Sequence, residues 1–413
     1  MSLLIKNIHQ LIQVANSNQV LKGAAMHTLP ILENAFVYCE SGMIKSFGQM
    51  NEGDESAYNA AETIDAKGCV VGPGWIDSHT HLVFAATREA EFVDRINGLS
   101  YAEIAQRGGG ILNSAKKLKA ATEDELFASA WQRLMEVIAL GTVAIEIKSG
   151  YGLSVDSELK ILRVIKRLKE KSPIPIKATL LAAHAYPLAY RENHRGYLDL
   201  IKNELLPIVA KEKLADYFDV FCEEGFFSVT ETDELLQAAM KYNLPAKIHA
   251  NQLNHSGGVE VGVKNKAISV DHLECVGDKE IEALKNSDTL PVLLPAAAFF
   301  LQLPYQPAKK IIAAGLSVVL ASDYNPGSCP SGNMNFVMSL ACTQMGMLPE
   351  EAINACTINA AHALQLEENL GTIAVGKIAN LFITQPISSY AVIPYSFSKS
   401  VIAKMVLNGK VWK

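Results

Sequence analysis

Residues 72–81 read GPGWIDSHTH, and this stretch decides the fold. A Pro-Gly turn precedes a short apolar run, which favours a strand that begins at a fixed point. In a strand, side chains two residues apart point to the same face, so His79 and His81 can converge on one point. Converging imidazoles are typical of a zinc or iron site. Two exposed histidines on an edge strand are the simpler alternative.

Length, composition and net charge limit the number of domains and the kinds of partner that the protein can have. The chain is 49% hydrophobic and 19% charged, so it contains enough apolar residues for a large core. Its 413 residues are more than one ordinary domain contains. A formal net charge of -6 gives no broad positive surface of the kind that nucleic acids and anionic membranes attract. We therefore expect one large domain plus a small one, with no nucleic-acid partner and no membrane partner.

Cysteine usage favours a reducing compartment. The seven cysteines are odd in number, dispersed, and without a Cys-x-x-Cys pair, so neither a disulfide framework nor a zinc knuckle is indicated. Residues 1–16 lack the layout of a signal peptide, and the apolar run 290–303 is interrupted by Pro291 and Pro295. We expect a cytoplasmic protein with no segment that spans a membrane.

The two ends of the chain have the same sequence pattern. Short apolar runs alternate there with Gly, Asn and Glu turns, as in small antiparallel strands. We predict a composite β-sandwich domain built from residues 1–70 and 370–413. The intervening residues, 71–369, are predicted to form a second and larger domain.

The middle of the chain alternates strand and helix patterns, which leads to parallel α/β architecture. Residues 122–125 have the form of a capping box, and apolar residues follow at helical spacing until Gly141. Eight strand-helix units predict a closed (β/α)8 TIM-like barrel, whose chemistry gathers at the C-terminal ends of the strands. The strands are predicted at 75–81, 142–148, 176–183, 217–222, 246–250, 267–271, 290–294 and 317–321.

Polar residues stand at the ends of these predicted strands. Histidines distributed at random over the surface would not place five of the ten at the C-terminal ends of the barrel strands. The metal-site interpretation is therefore favoured over the edge-strand alternative. The residues at strand ends are His79, His81, His184, Glu223, His249, His272 and Asp323. The other histidines are predicted to be structural or on the surface, namely His9, His27, His194, His255 and His362.

Several motifs resemble the amidohydrolase superfamily, whose members are metal-dependent hydrolases on a distorted barrel with an accessory β-sandwich. The resemblance rests on residues 74–81, His249 and the pair Ser322-Asp323, and it covers essentially the whole chain. Three stretches are similar to motifs of one branch of this superfamily, namely RGGGI at 107–111, EIKSGYGL at 146–153 and SDYNPGS at 322–328. Enzymes of that branch hydrolyse 4-imidazolone-5-propanoate to N-formimidoyl-L-glutamate in histidine degradation. The resemblance therefore implies hydrolysis of a cyclic amide bond.

The resemblance implies one zinc or iron ion per subunit. Its ligands, carried over position by position, are His79, His81, His249 and Asp323. Such a set leaves a place for water and lowers the pKa of that water toward ~7, so metal-bound hydroxide would attack the ring carbonyl. Relatives with two metals bridge them with a carbamylated lysine at the end of strand four, but residues 219–224 read DVFCEE. A single ion follows.

Catalytic roles are implied in the same way. Asp323 would take the water's proton and return it to the leaving nitrogen. His272 would orient the water or stabilise the oxyanion, and His184 would hydrogen-bond the ring oxygen. Gln252 stands where some branches of the family carry glutamate. Because an amide has no titratable proton near neutral pH, we predict that Gln252 positions the substrate.

The substrate tail is a carboxylate, and Arg88 can bind it with a planar fork that lysine lacks. Without the resemblance, an ordinary surface arginine is the better interpretation. The other positions implied to contact substrate are Tyr101, Tyr151, His184, Gln252, Asn325, Gly327 and Ser328.

Two further patterns have simple explanations. Residues 108–110 are glycines, but no Gly-Lys-Ser/Thr follows, which favours a mobile loop over the barrel mouth and not a phosphate cradle. Cys329 lacks a local His-Asp arrangement, which favours a buried bystander thiol.

Two other functions stay open. A single-metal deaminase of a purine or pyrimidine uses a similar barrel, but it has no reason to place Arg88 for a carboxylate tail, and it would release ammonia. A non-catalytic barrel used for assembly should have lost metal ligands, and all four are present. The lead interpretation predicts an enzyme with a small-molecule substrate, and we expect a homodimer.

Overall fold

The computed structural model describes residues 2–50, 58, 60–99, 103, 109–397 and 399–412. Its strands, numbered along the chain, are β1 (Ser2–Ile12), β2 (Ile31–Glu40), β3 (Met43–Gln49), β4 (Glu62–Asp65), β5 (Cys69–Pro73), β6 (Trp75–Asp77), β7 (Thr142–Lys148), β8 (Ile176–Ala183), β9 (Tyr217–Cys222), β10 (Ala246–Ala250), β11 (Ser269–His272), β12 (Leu290–Leu293), β13 (Val319–Leu320), β14 (Leu381–Pro386), β15 (Ile402–Leu407) and β16 (Lys410–Val411).

The α-helices are numbered in the same way. They are α1 (Glu89–Ile96), α2 (Gly110–Ala120), α3 (Glu123–Ala139), α4 (Val155–Lys171), α5 (His194–Leu200), α6 (Leu206–Glu212), α7 (Val229–Met240), α8 (Gly258–Lys264), α9 (Asp278–Lys285), α10 (Pro295–Leu301), α11 (Ala308–Ala313), α12 (Met334–Met345), α13 (Pro349–Cys356), α14 (Ile358–Ala363) and α15 (Val392–Tyr395). None of the described helices is long and apolar enough to cross a membrane.

Strands β6 to β13 form a parallel sheet in sequence order, and helices separate them along the chain. The first and last strands meet where the chain continues beyond them. The backbone N–H of His81 donates to Tyr324 O at 2.9 Å, and that of Asp323 donates to His79 O at 3.0 Å. The sheet is thus a nearly closed barrel, and the predicted (β/α)8 architecture is confirmed.

Four strands of the barrel, β7 to β10, match their predicted bounds residue for residue. The first strand is shorter than predicted and ends at Asp77. Beyond it the backbone divides its hydrogen bonds between two neighbours, because Lys148 N donates to Thr80 O at 2.8 Å while His79 and His81 bond to the loop after β13. The two histidines therefore stand at the seam where the barrel closes.

The ends of the chain form one mixed sheet with the order β16-β15-β14-β5-β1-β2-β3, and β4 also pairs with β1. It has its own hydrophobic core, to which Leu3, Ile5, Val37 and Leu381 belong. Strands from both termini thus build this sheet, as predicted. The division of the chain into domains at residues 70 and 370 stays a prediction.

Two local sequence features are visible in the structure, one where the chain enters the barrel and one where helix α3 begins. A Cβ on Gly74, between β5 and β6, would lie 2.1 Å from Cγ1 of Val143, so only glycine fits at the entry to the barrel. Helix α3 begins with the predicted capping box, in which Thr122 Oγ1 accepts from Glu125 N at 3.2 Å and Glu125 Oε2 accepts from Thr122 N at 2.9 Å.

Candidate active site

A fully buried ion network lies under the C-terminal ends of the barrel strands. Lys148 Nζ lies 2.9 Å from Glu146 Oε1 and 2.8 Å from Asp219 Oδ2, and Lys247 Nζ lies 2.5 Å from Glu146 Oε2. Lys148 Nζ is also 3.6 Å from Asp271 Oδ2, and all five side chains are 0% exposed. Such charges are tolerated inside a protein only when they are paired, as they are here.

Lys148 and Asp219 are the charged pair at the centre of this network. Burial lowers the pKa of the Lys148 ammonium, but the carboxylates of Asp219, Glu146 and Asp271 outweigh burial, and the pKa is above its ordinary value. Burial raises the pKa of Asp219, and His249 and Lys148 outweigh it, so that this pKa lies well below its ordinary value.

Oxygen atoms fix the orientation of three histidines. Asp271 Oδ2 lies 2.6 Å from His79 Nδ1, and Asp219 Oδ2 lies 3.0 Å from His249 Nδ1. The carbonyl oxygen of Ser149 lies 3.4 Å from His81 Nδ1. Because these oxygens only accept, each Nδ1 carries the proton and each Nε2 keeps its lone pair for the centre of the site.

The freed nitrogens converge with a carboxylate from the last barrel strand. His81 Nε2 lies 3.4 Å from His249 Nε2, and Asp323 Oδ1 lies 3.6 Å from Nε2 of both His79 and His81. Ligands ~2.0–2.1 Å from a tetrahedral ion stand ~3.4 Å apart. Among the described residues, Nε2 of His79 is buried without a hydrogen-bond partner. These four residues fit a metal ion.

Charge state agrees with that fit. Burial, together with the positive charge of Lys148, holds the pKa of His79 well below its usual range, and burial beside His184 and His249 does the same for His81. Both rings are therefore neutral near pH 7, as metal ligands need to be. Burial raises the pKa of Asp323 from its ordinary value.

His272 adjoins this cluster. Its ring centroid lies 5.5 Å from that of His79 and 5.1 Å from that of His249. A ring nitrogen of His272, one of His79 and an oxygen of Asp323 all lie within 4.8 Å of one another. The structure thus brings the two residues predicted to move protons, Asp323 and His272, to one side of the histidine cluster.

A cleft of about 470 Å³ opens beside the cluster. The rings of His184 and His81 are stacked, with centroids 5.4 Å apart and planes at 14°, and so join the cleft to the ligand set. Predicted site residues that line the cleft are Arg88, Tyr151, His184, Gln252, Asn325, Gly327 and Ser328. Tyr101, Arg107 and Gly108 lie outside the described residues, so their predicted places stay untested.

Sequence reasoning missed part of the lining. The additional residues are Glu91, Arg95, Ile111, Phe221, Phe226, Leu253, Leu301 and Leu303. Phe221 and Leu253 stand next to strand-end positions that the pattern singled out, and the rest lie on helices and loops where no such signal exists. Glu223, one of the predicted strand-end residues, accepts from Leu253 N at 2.9 Å through Oε2 and supports this lining.

Arg88 faces the cleft with one donor group unused. Its Nε donates to Ser114 Oγ at 2.9 Å, and its Nη1 lies 4.0 Å from Glu91 Oε2. Among the described residues, its Nη2 is buried and has no hydrogen-bond partner. A Cβ on Gly327 would lie 2.6 Å from Nη1, so this glycine leaves room for the guanidinium. An anionic group in the cleft would satisfy Nη2.

His184 is a neutral acceptor toward the cleft. Its Nδ1 lies 3.1 Å from the carbonyl oxygen of Gly150, which requires a proton on Nδ1. Burial lowers the pKa of His184 to about 3, so Nε2 is unprotonated near pH 7. This geometry favours acceptance of a substrate N–H, whereas the sequence interpretation had His184 bind the ring oxygen.

Asn325 shapes the loop after β13. Its Nδ2 donates to Asp323 O at 2.7 Å and to Ser328 Oγ at 2.6 Å, and its Oδ1 accepts from Gly327 N and Ser328 N at 2.7 and 2.8 Å. The amide is saturated by these four bonds, so it holds the cleft wall in place. The thiol of Cys329 is buried, and burial raises its pKa, as is typical of an inert cysteine.

Barrel, terminal sheet and histidine cluster together define a class of protein. Residues 70–412 match the sequence profile of the Amidohydrolase family, and the chain belongs to this family. Within it, the chain is an enzyme of the imidazolonepropionase group, as the identities to curated members show.

The chain is similar to imidazolonepropionases along its whole length. Identity to that of Flavobacterium johnsoniae is 54% over 409 residues, which cover 99% of both chains. Identity to that of Christiangramia forsetii is 52% over 413 residues, which cover 100% of both. An adenosine deaminase from Xanthomonas campestris, solved with bound zinc, superposes with a TM-score of 0.71 at 15% identity, covering 99% of this chain and 92% of that one. That likeness shows a shared fold alone.

Proposed function

We propose that the protein hydrolyses 4-imidazolone-5-propanoate to N-formimidoyl-L-glutamate. The observation that carries this proposal is the unused Nη2 of Arg88 in a cleft that adjoins three converging histidines and the carboxylate of Asp323. A substrate with a carboxylate tail and a cyclic amide can satisfy both at once. The tail would lie on Arg88, and the ring would lie over His81 and His184.

The proposed cofactor is one zinc or iron ion on His79, His81, His249 and Asp323. A bound ion supplies an acidified water as the nucleophile near neutral pH. A second, bridged ion finds no support. Strand β9 contains no lysine, and Lys148 is held as an ammonium by its carboxylate neighbours, whereas carbamylation needs a neutral amine.

Proton transfer is assigned to Asp323 and His272. Asp323 Oδ1 faces the histidines, while its Oδ2 accepts from Ser328 Oγ at 2.9 Å, so the carboxylate is fixed in one orientation. It takes a proton from the attacking water and returns it to the ring nitrogen as the C–N bond breaks. His272 orients the attacking water by accepting a hydrogen bond from it. Gln252, in the cleft wall, orients the ring by hydrogen bonds.

Substrate orientation follows from the fixed donors and acceptors. Nε2 of His184 accepts a ring N–H, and Arg88 donates to the tail carboxylate. The guanidinium also lies 5.7 Å from the ring centroid of Tyr151, which makes Tyr151 part of the same wall. Because His184 binds the ring and Arg88 binds the tail, the substrate is held at both ends. These contacts favour one orientation of the ring over the orientation rotated by 180°.

The experiment that tests the function is incubation of the purified, metal-loaded protein with 4-imidazolone-5-propanoate. We expect loss of the substrate's ultraviolet absorbance and stoichiometric appearance of N-formimidoyl-L-glutamate. Release of ammonia from purines or pyrimidines, with no ring opening of imidazolonepropanoate, would instead support a deaminase. Absence of any turnover at full metal occupancy would support a non-catalytic assembly protein.

Two further properties belong to this proposal. A cytoplasmic location is supported by the seven cysteines, all of which are free. A homodimer is proposed as the assembled form, and light scattering on the purified protein tests it directly. A mass of one chain or of four chains would contradict it.

A further inference from the structure

A buried carboxylate without a hydrogen bond lies next to the catalytic cluster. Glu274 follows His272 by two residues, and its side chain is 0% exposed. Within the described part of the chain, neither oxygen of Glu274 makes a hydrogen bond, and neither does Nδ1 of His272. The two groups nevertheless face each other, with Nδ1 3.5 Å from Oε1. A buried carboxylate that makes no hydrogen bond is unfavourable, so its position needs a reason.

The backbone between the two residues is strained. His272 has φ +89° and Leu273 has φ +67°, a left-handed conformation that side chains with a Cβ rarely adopt. The strain is held from the end of the preceding strand β10, because Leu273 N donates to Ala250 O at 3.1 Å and Cys275 N donates to Asn251 O at 2.9 Å. Strain of this kind persists where the surrounding structure over-determines it, often at functional sites. Here the left-handed turn at His272 and Leu273 brings the Glu274 carboxylate close to the imidazole of His272.

The other acidic residues near His272 are already engaged. Asp271 accepts from Ser269 Oγ at 2.5 Å through one oxygen and lies 2.6 Å from His79 through the other. Asp323 faces the histidine ligands and accepts from Ser328. Gln252 carries no charge. Of the carboxylates that face His272 in the described part of the chain, Glu274 alone has no hydrogen bond to either oxygen.

We propose that Glu274 is a positioning residue, which accepts the Nδ1 proton of His272 and so presents Nε2 to the reacting groups. A carboxylate only accepts, so it selects one tautomer and one ring orientation, as the acidic member of a catalytic triad does. An approach of about 0.5 Å converts the observed separation into a hydrogen bond. This inference rests on the proposed function, because His272 acts there on the attacking water.

The test compares five variants at measured metal occupancy, including His272→Ala alone as the reference for its double variant. Glu274→Gln and Glu274→Met each lower kcat by about 10- to 100-fold, with KM changed by less than about 2-fold. In a His272→Ala background, Glu274→Gln causes no further loss, because the residue acts through that ring. The matched control is Glu280→Gln, whose carboxylate lies 2.8 Å from Nδ1 of His255 outside the cleft. It leaves kcat unchanged.

A second measurement does not depend on turnover. In zinc-loaded protein labelled with ¹⁵N-histidine, the signal that disappears in His272→Ala belongs to His272. It reports the Nδ1–H tautomer in the wild type and a mixed or Nε2–H state in Glu274→Met.

Three outcomes overturn the inference. They are a wild-type kcat for both Glu274 variants, an equal loss in the His272→Ala background, and an unchanged tautomer in Glu274→Met. If the wild type does not open imidazolonepropanoate at all, the proposed function fails, and the tautomer measurement still decides the role of Glu274.

Discussion

Oδ2 of Asp271 lies 2.6 Å from Nδ1 of His79, so a carboxylate on the sixth barrel strand holds a proposed ligand histidine that follows the first strand. The same oxygen is 3.6 Å from Nζ of Lys148, which ties it to the buried ion network. The orientation of a ligand is thus set by charges that do not face the cleft. Groups of this kind tune metal affinity as well as ligand geometry.

Asp271→Asn should therefore loosen the metal. We expect an affinity about 10- to 100-fold lower, because the amide of asparagine is an uncharged, weaker acceptor for the Nδ1 proton of His79 and can also present its NH2 group to the ring. Competition with a chromophoric chelator measures the change. Asp199→Asn is the control, since Asp199 forms an exposed ion pair with Arg195 on α5. Equal affinity in wild type and Asp271→Asn would show that this carboxylate does not support the ligand.

We expect about one zinc or iron ion per chain. Four ligands fit one ion, and no lysine in β9 is placed to bridge a second. Elemental analysis after exhaustive dialysis measures the ratio. Two tightly held ions per chain would contradict the assignment.

Arg88→Lys should raise KM by about 10-fold or more, because lysine keeps the charge and loses the planar fork. Gly327→Ala should act in the same direction, since its Cβ would lie 2.6 Å from Nη1 of Arg88. Steady-state kinetics and thermal unfolding separate binding from folding. Arg163→Lys, at a surface ion pair with Glu212, is the control. An unchanged KM in Arg88→Lys would remove Arg88 as the carboxylate site.

Gln252→Glu should keep substantial activity, whereas Asp323→Asn and His272→Ala should each lose at least ~10²-fold in kcat. The glutamine only orients substrate, while the other two carry protons or charge. Turnover must be compared at measured metal occupancy, because Asp323 is also a proposed ligand. Near wild-type rates in both metal-loaded variants would show that the proton pathway runs elsewhere.

Lys247→Met should destabilise the protein strongly. It leaves Glu146 with less compensation in a site that is 0% exposed, and breaking a buried pair typically costs about 3–5 kcal/mol. We expect the thermal midpoint to fall by more than about 5 °C. Arg195→Met, which removes an exposed ion pair that solvent screens, should shift it far less. Equal shifts would mean that the network contributes little to stability.

The sequence by itself determined the fold class, the family and the rim that carries the site. Strands β7 to β10 and the capping box of α3 were predictable because alternation, helical spacing and capping are encoded within a few residues. The histidines at strand ends were predictable because a parallel barrel brings all those ends to one face. Fold, family and enzyme class are confirmed, while the residue roles, the kind of metal and the domain bounds stay predictions.

Only the tertiary structure decided which groups orient these residues. His79 and Asp271 stand 192 residues apart and His249 and Asp219 stand 30 apart, so no local pattern connects them. The unused donor of Arg88 depends on the same long-range placement, since its Nε is bound by a serine on α2. Sequence pattern reports burial and periodicity within one element, whereas hydrogen bonding between elements depends on register and side-chain orientation, which exist only once the barrel has closed.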